Sequence, residues 1–200
     1  MFSLEDLLGQ EQGVQAVNQI SQSLGANPTN TNSAIQMALP VILSALANNA
    51  QESSGAEQLS NTLQKNHDGG ILDNLGGFLG GIGKDENSNA DGIGILGHIF
   101  GQKQGALAQQ VSEKSGLDIG QTAQLLITLA PIVMGFLGKK KQEQNLDAGG
   151  LSNMLGEQQQ TIQASGNPMM DMISGYLDKD KDGSAMDDLA SLAANYFQKR

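Results

Sequence analysis

The chain repeats itself, and the repeat restricts its fold more than any single motif does. Leu4–Gly13 reads LEDLLGQEQG, and Leu96–Gly105 reads LGHIFGQKQG, an offset of 92. Leu59-Ser60-Asn61-Thr62-Leu63 is echoed by Leu151-Ser152-Asn153-Met154-Leu155 at the same offset. Between these anchors the copies match at an offset of 91: Gly25 with Gly116, Pro40 with Pro131, Ile42 with Val133, Leu46 with Leu137. One residue is lost and regained inside the second copy. Self-similarity over this length points to one supersecondary unit built twice, with neither copy able to bury its own apolar face alone.

The building material favours helices. There is no Trp, and aromatics make up only 4% of the residues. A core drawn from Leu, Ile, Val, Ala and Met suits helices better than sandwiches. The net charge of −10 argues against a nucleic-acid partner, because phosphate contacts need clustered Lys and Arg. The densest basic run, Lys139-Lys140-Lys141, follows an apolar segment. There it complements the negative end of a helix macrodipole. The absence of Cys excludes disulfides and zinc–thiolate sites. MFSLEDLLGQ has no basic stretch followed by an apolar run, so it does not read as a secretory signal, and a cytoplasmic protein is expected. The longest apolar stretch, Leu125–Gly138, spans about 21 Å as a helix, short of the ~30 Å hydrocarbon core. It reads as a buried helix, and no membrane contact is expected.

Each copy parses as four helical pieces. The first is short, with Leu4, Leu7 and Leu8 matching Leu96, Ile99 and Phe100, and ends at Gly9 or Gly101. The second carries Val14, Val17, Ile20 and Leu24 at helical spacing in the first copy, and Leu107, Ala108 and Val111 in the other. Gly25 and Gly116 close it. The third opens at Asn27-Pro28 or Asp118-Ile119. Asn and Asp can accept an orphan backbone N–H, and Pro28 falls where a missing N–H costs nothing. Gln121, three residues after Asp118, completes a capping box. This third helix is apolar nearly all round in both copies, so other helices must surround it. Pro40 and Pro131 sit inside it in register, and each is expected to kink it. The fourth helix carries the L-S-N-x-L segments.

The organisation expected is a first repeat unit over 1–66, a Gly-rich linker over 67–94, a second unit over 95–157, and a C-terminal helix-loop-helix over 166–200. Ile71–Leu79 is apolar enough to dock on a core; the alternative is an amphipathic piece that touches a partner or a membrane. In the C-terminal region Asp178-Lys179-Asp180-Lys181-Asp182-Gly183-Ser184 joins two amphipathic segments. Alternate carboxylates around a tight Gly turn suit calcium, with Asp178, Asp180, Asp182, Ser184, Asp187 and Asp188 as candidate ligands. The pattern resembles the first half of an EF-hand loop. It departs at the twelfth position, where Leu189 replaces the bidentate Glu, and Asp187 and Asp188 would have to close a shortened loop. The alternative is an Asp-rich turn in which Ser184 caps the last helix and Asp187 and Asp188 face its positive end.

Other strings carry less. Gly92-Ile93-Gly94-Ile95-Leu96-Gly97 spells G-x-G-x-x-G, yet an acidic loop precedes it instead of the strand that dinucleotide binding needs. Gly80–Asp85 fails the P-loop spacing, and Asp85 stands where Ser or Thr belongs. The two histidines, His67 and His98, have no companion at metal-ligand spacing. His98 aligns with Asp6, which suits an exposed helical position. No Ser–His–acid set and no acid–base carboxylate pair can be argued.

Asp91–Gly101 (DGIGILGHIFG), then Ser115-Gly116-Leu117-Asp118, then Leu125–Leu137 with its internal Ala130-Pro131, resemble the bacterial domain-of-unknown-function family 937, which includes the YidB-like helical proteins. The Asp178–Asp188 run resembles the Asp-rich tail of its longer members. The resemblance implies an all-α fold and a bacterial origin, and implies no enzyme activity.

The expected architecture is therefore all-α: a duplicated unit of about four helices per copy with pseudo-two-fold packing, plus the C-terminal helix-loop-helix. The two proline-containing helices should meet at the centre. The leading functional expectation is a non-enzymatic interaction or scaffold protein with a structural calcium site, its protein partner unnamed and a homo-oligomer left open. The alternative is a small hydrophobic-ligand or lipid-binding module, with a groove lined by Met37, Leu43, Met134 and Phe136. A metal-assisted hydrolase using the aspartates ranks last, since no base stands near them.

Overall fold

The computed structural model describes residues 3–81 and 86–164, and among them the protein is helical, with no strand. Helix α1 (Leu4–Leu8) starts at a capping box. The Ser3 hydroxyl accepts from the Asp6 N–H at 3.3 Å, and the Ser3 N–H donates to the Asp6 carboxylate at 2.9 Å. Gly9, at φ 86°, turns the chain into α2 (Gln10–Leu24). The two helices touch backbone to backbone at Gly13, where a Cβ would lie 2.5 Å from the Glu5 Cα. Gly25 ends α2 in the left-handed conformation.

Helix α3 (Pro28–Asn49) begins as its sequence specifies: the Asn27 side chain accepts from the Thr29 N–H at 2.8 Å, and Pro28 occupies the first turn. Helix α4 (Ser53–Asn66) follows, then the short α5 (Gly70–Asp73) and α6 (Leu75–Gly80). Helix α7 (Glu86–Phe100) leads through a 3-10 turn to α8 (Gln104–Ser115), which Gly116 ends at φ 78°. Helix α9 (Ile119–Glu143) opens on a complete capping box between Asp118 and Gln121, and α10 (Ala148–Ala164) ends the described chain.

The core is built on α3 and α9, which pack against each other. Ile35, Leu39 and Ile42 of α3 and Leu125, Leu129 and Ile132 of α9 are fully excluded from solvent. Each such side chain contributes about 1.5–3 kcal/mol by leaving water. Both helices run on through their buried prolines. Helix α9 is long and apolar enough to cross a membrane, but 61% of its apolar window is buried inside the protein. It is covered by α2, α3, α4, α5, α7 and α8. Its last turn carries Lys140 and Lys141, which complement the helix dipole.

The outer helices are laid on crosswise. Helix α10 packs on α3, while α4 packs on α9, and α4 and α10 touch each other. Ser152 of α10 donates to the Ala50 carbonyl at 2.7 Å, and Gln159 donates to the Asn48 side chain at 2.6 Å. At the other end of the central pair, the Asn30 amide donates to the Gly116 carbonyl at 3.2 Å, and the Gln121 amide donates to the Leu24 carbonyl at 3.2 Å. Asn30 and Gln121 are separated by the 91-residue offset seen in the sequence. So are Thr31 and Thr122, both fully buried, which donate to the carbonyls of Asn27 and Asp118 at 3.1 and 2.9 Å.

Residues 67–94, expected to be a Gly-rich linker, hold α5, α6 and the first half of α7. Leu75 and Leu79 dock into the core, and Gly92 lets α7 approach α9 closely. Glycine content and the polar run 84–89 suggested a linker, because composition ignores what a missing side chain permits. The C-terminal helix-loop-helix over 166–200 lies outside the described residues.

Candidate functional site

Helices α4 and α7 present facing sides that enclose a cleft of about 570 Å³. That lies within the ~300–1,000 Å³ usual for small-molecule sites. Helix α4 supplies Gln58, Leu59, Thr62, Lys65 and Asn66, positions three and four apart that share one helical face. Helix α7 supplies Asp91, Gly94, Ile95, His98 and Ile99 by the same rule. Leu46 of α3 and Met134 of α9 line it from the core side, both almost wholly buried. The result is an apolar floor under a rim of amide, imidazole, ammonium and carboxylate groups.

Gly94 keeps the cleft open. A Cβ at this helical position would meet no atom within 4 Å, so a larger side chain would stand in the cleft. Two residues earlier, Gly92 has the opposite reason to be small. Its missing Cβ leaves room for the Ile127 carbonyl oxygen of α9. That carbonyl is four residues before Pro131, which has no N–H to give it. The α7 backbone therefore sits against the acceptor that the proline frees. All three glycines of the G-x-G-x-x-G string, Gly92, Gly94 and Gly97, thus lie within a helix, with no preceding strand among the described residues, and its nucleotide reading is removed.

His67 caps the C-terminus of α4 and is only 6% exposed. Its backbone carbonyl lies against Gly138 of α9, where a Cβ would collide with it. Its Nε2 faces the Asp91 carboxylate at 3.8 Å, beyond hydrogen-bond reach. Burial holds the imidazole pKa below its usual 6.5, against the opposing pull of Asp91 and Asp68. The imidazole is therefore neutral near pH 7, and the contact with Asp91 is not a formed ion pair. His98 is exposed on the cleft wall, in keeping with its alignment to Asp6. Lys65 is exposed in the last turn of α4 and makes no ion pair among the described residues.

The expected groove of Met37, Leu43, Met134 and Phe136 does not form. Met134 faces the α4–α7 cleft, and Leu43 is buried in the core. Phe136 lines a separate hollow with Leu7, Leu8 and Leu72, beneath Lys140, whose ammonium is 5.8 Å from the ring centre and 2.9 Å from Glu143. Residues two apart on a helix point in widely different directions, which is why Met134 and Phe136 part company. Among the described residues no group of three acidic, His or Cys side chains could hold a metal ion. The calcium candidates Asp178, Asp180, Asp182, Ser184, Asp187 and Asp188 lie outside the described residues.

Sequence reasoning passed over both histidines because neither has a companion along its own helix. They come to one cleft only because α4 and α7 are brought face to face across the core. The available signal was the spacing of residues 91, 94, 95, 98 and 99, one helical face with a glycine at its middle. A family model described as "Bacterial protein of unknown function (DUF937)" matches residues 6–140. No curated protein and no solved structure matches the chain.

Proposed function

The chain belongs to the DUF937 family of bacterial proteins of unknown function, and from that premise we propose that it is a non-enzymatic interaction protein whose site is the α4–α7 cleft. The observation that carries this reading is the lining itself. A hollow of small-molecule size combines an apolar floor with a rim of hydrogen-bonding groups, the usual make-up of a binding site.

The frame around the cleft supports a duplicated origin. Thr31 and Thr122 make corresponding hydrogen bonds at one sequence offset, and Asn30 and Gln121, at the same offset, each bond to a carbonyl at the end of the other copy's second helix. The fourth helix of each copy packs on the third helix of the other. On this reading the two copies are related by an approximate two-fold axis and exchange their fourth helices. The cleft then lies where α4, from the first copy, faces α7, from the second. A site at such a junction exists only when both copies are folded together.

Native mass spectrometry of the full chain, incubated with a small-molecule extract of bacterial cells, tests the binding reading. The expected result is a retained mass on the wild type that Gly94→Leu, which fills the cleft, fails to retain. No retained mass, or equal retention by both proteins, would contradict it. A structural calcium ion at Asp178, Asp180, Asp182, Ser184, Asp187 and Asp188, outside the described residues, belongs to the same proposal. Calorimetry should give heat with calcium that is lost after Asp180→Ala and Asp182→Ala. No heat with the wild type, or unchanged heat in the variants, would dismiss the site.

A further inference from the structure

We propose that the α4–α7 cleft takes a free single-chain amphiphile with a carboxylate head, bound at Lys65 and His98 over an apolar floor of Leu46, Leu59, Ile95 and Met134. This rests on the cleft being the binding site and adds the chemistry of its occupant.

The walls divide by polarity in a way that fits one kind of molecule. The floor side chains are apolar and at most 9% exposed, so the base of the cleft is hydrocarbon. An alkyl chain can lie against such a floor. Above the floor several polar groups can donate. Lys65 brings a full positive charge with no carboxylate paired to it among the described residues. His98 brings a ring N–H, and Asn61 and Asn66 bring amide N–H groups. A carboxylate accepts from several donors at once, and charge-assisted hydrogen bonds of this kind are stronger than neutral ones.

The one carboxylate of the lining, Asp91, sets the limit on head charge. It faces His67 on the α7 wall. A head carrying two negative charges would add repulsion from Asp91 that one lysine does not offset. A singly charged carboxylate is the better match. In a chain of overall charge −10, Lys65 is the one ammonium of the lining and the group a carboxylate head would pair with.

The test uses the full chain labelled with 13C at the methionine methyl groups, the Met134 signal being assigned by its loss in Met134→Leu. Decanoate, decanol and decyltrimethylammonium are each titrated below micelle-forming concentrations. Decanoate should shift the Met134 methyl and saturate. Decanol should bind more weakly, and the cationic amphiphile should leave the signal in place. Lys65→Gln should weaken decanoate about two- to fivefold, the scale of one exposed charge contact, and Gly94→Leu should abolish its shift. Equal binding of decanol and decanoate, or preference for the cationic amphiphile, overturns the carboxylate assignment and leaves the cleft as a binding site. No movement of Met134 with any of the three overturns the assignment and counts against the cleft as a site. Decanoate binding that Gly94→Leu does not disturb places the ligand elsewhere and overturns the proposal as well.

Discussion

Single residues in this protein are chosen for what they leave out as much as for what they supply. Gly92 is the clearest case, because a Cβ there would enter the space of the Ile127 carbonyl. Gly92→Ala should therefore destabilise the fold by about 1–3 kcal/mol, the usual cost of overpacking, although alanine is the better helix former. Gly94→Ala, with open space at its Cβ, should be neutral or stabilising by up to ~1 kcal/mol. Chemical denaturation of the two variants side by side checks this opposition. His67 makes the pH behaviour testable. Its pKa is lowered in the folded state by burial, so the unfolded chain binds the proton more readily. Its contribution is complete above pH 6.5, the unfolded value, and is lost as pH falls toward the lower folded one. Between those values stability should decline on acidification, by at most about 1.4 kcal/mol per pH unit for one proton. Urea unfolding of the wild type and His67→Asn across this range should show the decline in the first and its reduction in the second.

At the level of elements, the sequence was most legible where the physics is local. Asn27 and Pro28, and Asp118 with Gln121, begin α3 and α9 as the capping rules require. Gly25 and Gly116 end the preceding helices at positive φ. These signals lie within a few residues of one another, so a linear reading finds them. Asp118→Ala should cost about 1 kcal/mol through loss of the N-cap, and Thr122→Val less, because the Asp118 carbonyl keeps the Thr122 backbone N–H at 2.9 Å. Thermal melts of the single variants measure both. Helix α7 was legible only in part. Its start at Glu86 follows a polar, glycine-rich run that composition assigns to a linker. The helix persists because Ile95 and Leu96 reach the core and Gly92 meets α9, contacts made with residues tens of positions away. The cleft is non-local for the same reason. Neither α4 nor α7 carries it alone, so no window of sequence contains it.

For the whole molecule, the proposed duplication predicts two halves that cannot be separated without losing both. Helix α4, which the proposed repeat assigns to the first copy, packs on α9, assigned to the second, and α10 packs likewise on α3. Damage to one half should therefore spread into the other. Leu63 of α4 is fully buried, and Leu63→Ala should remove about 2–5 kcal/mol. Native-state hydrogen exchange at the amides of Ile42 in α3 and Val133 in α9 tests the shared interior most directly. The wild type should give both amides the same opening free energy, and Leu63→Ala should lower both by the same amount. Different opening free energies in the wild type, or a loss confined to Ile42, would mean that each half folds on its own and would contradict the account.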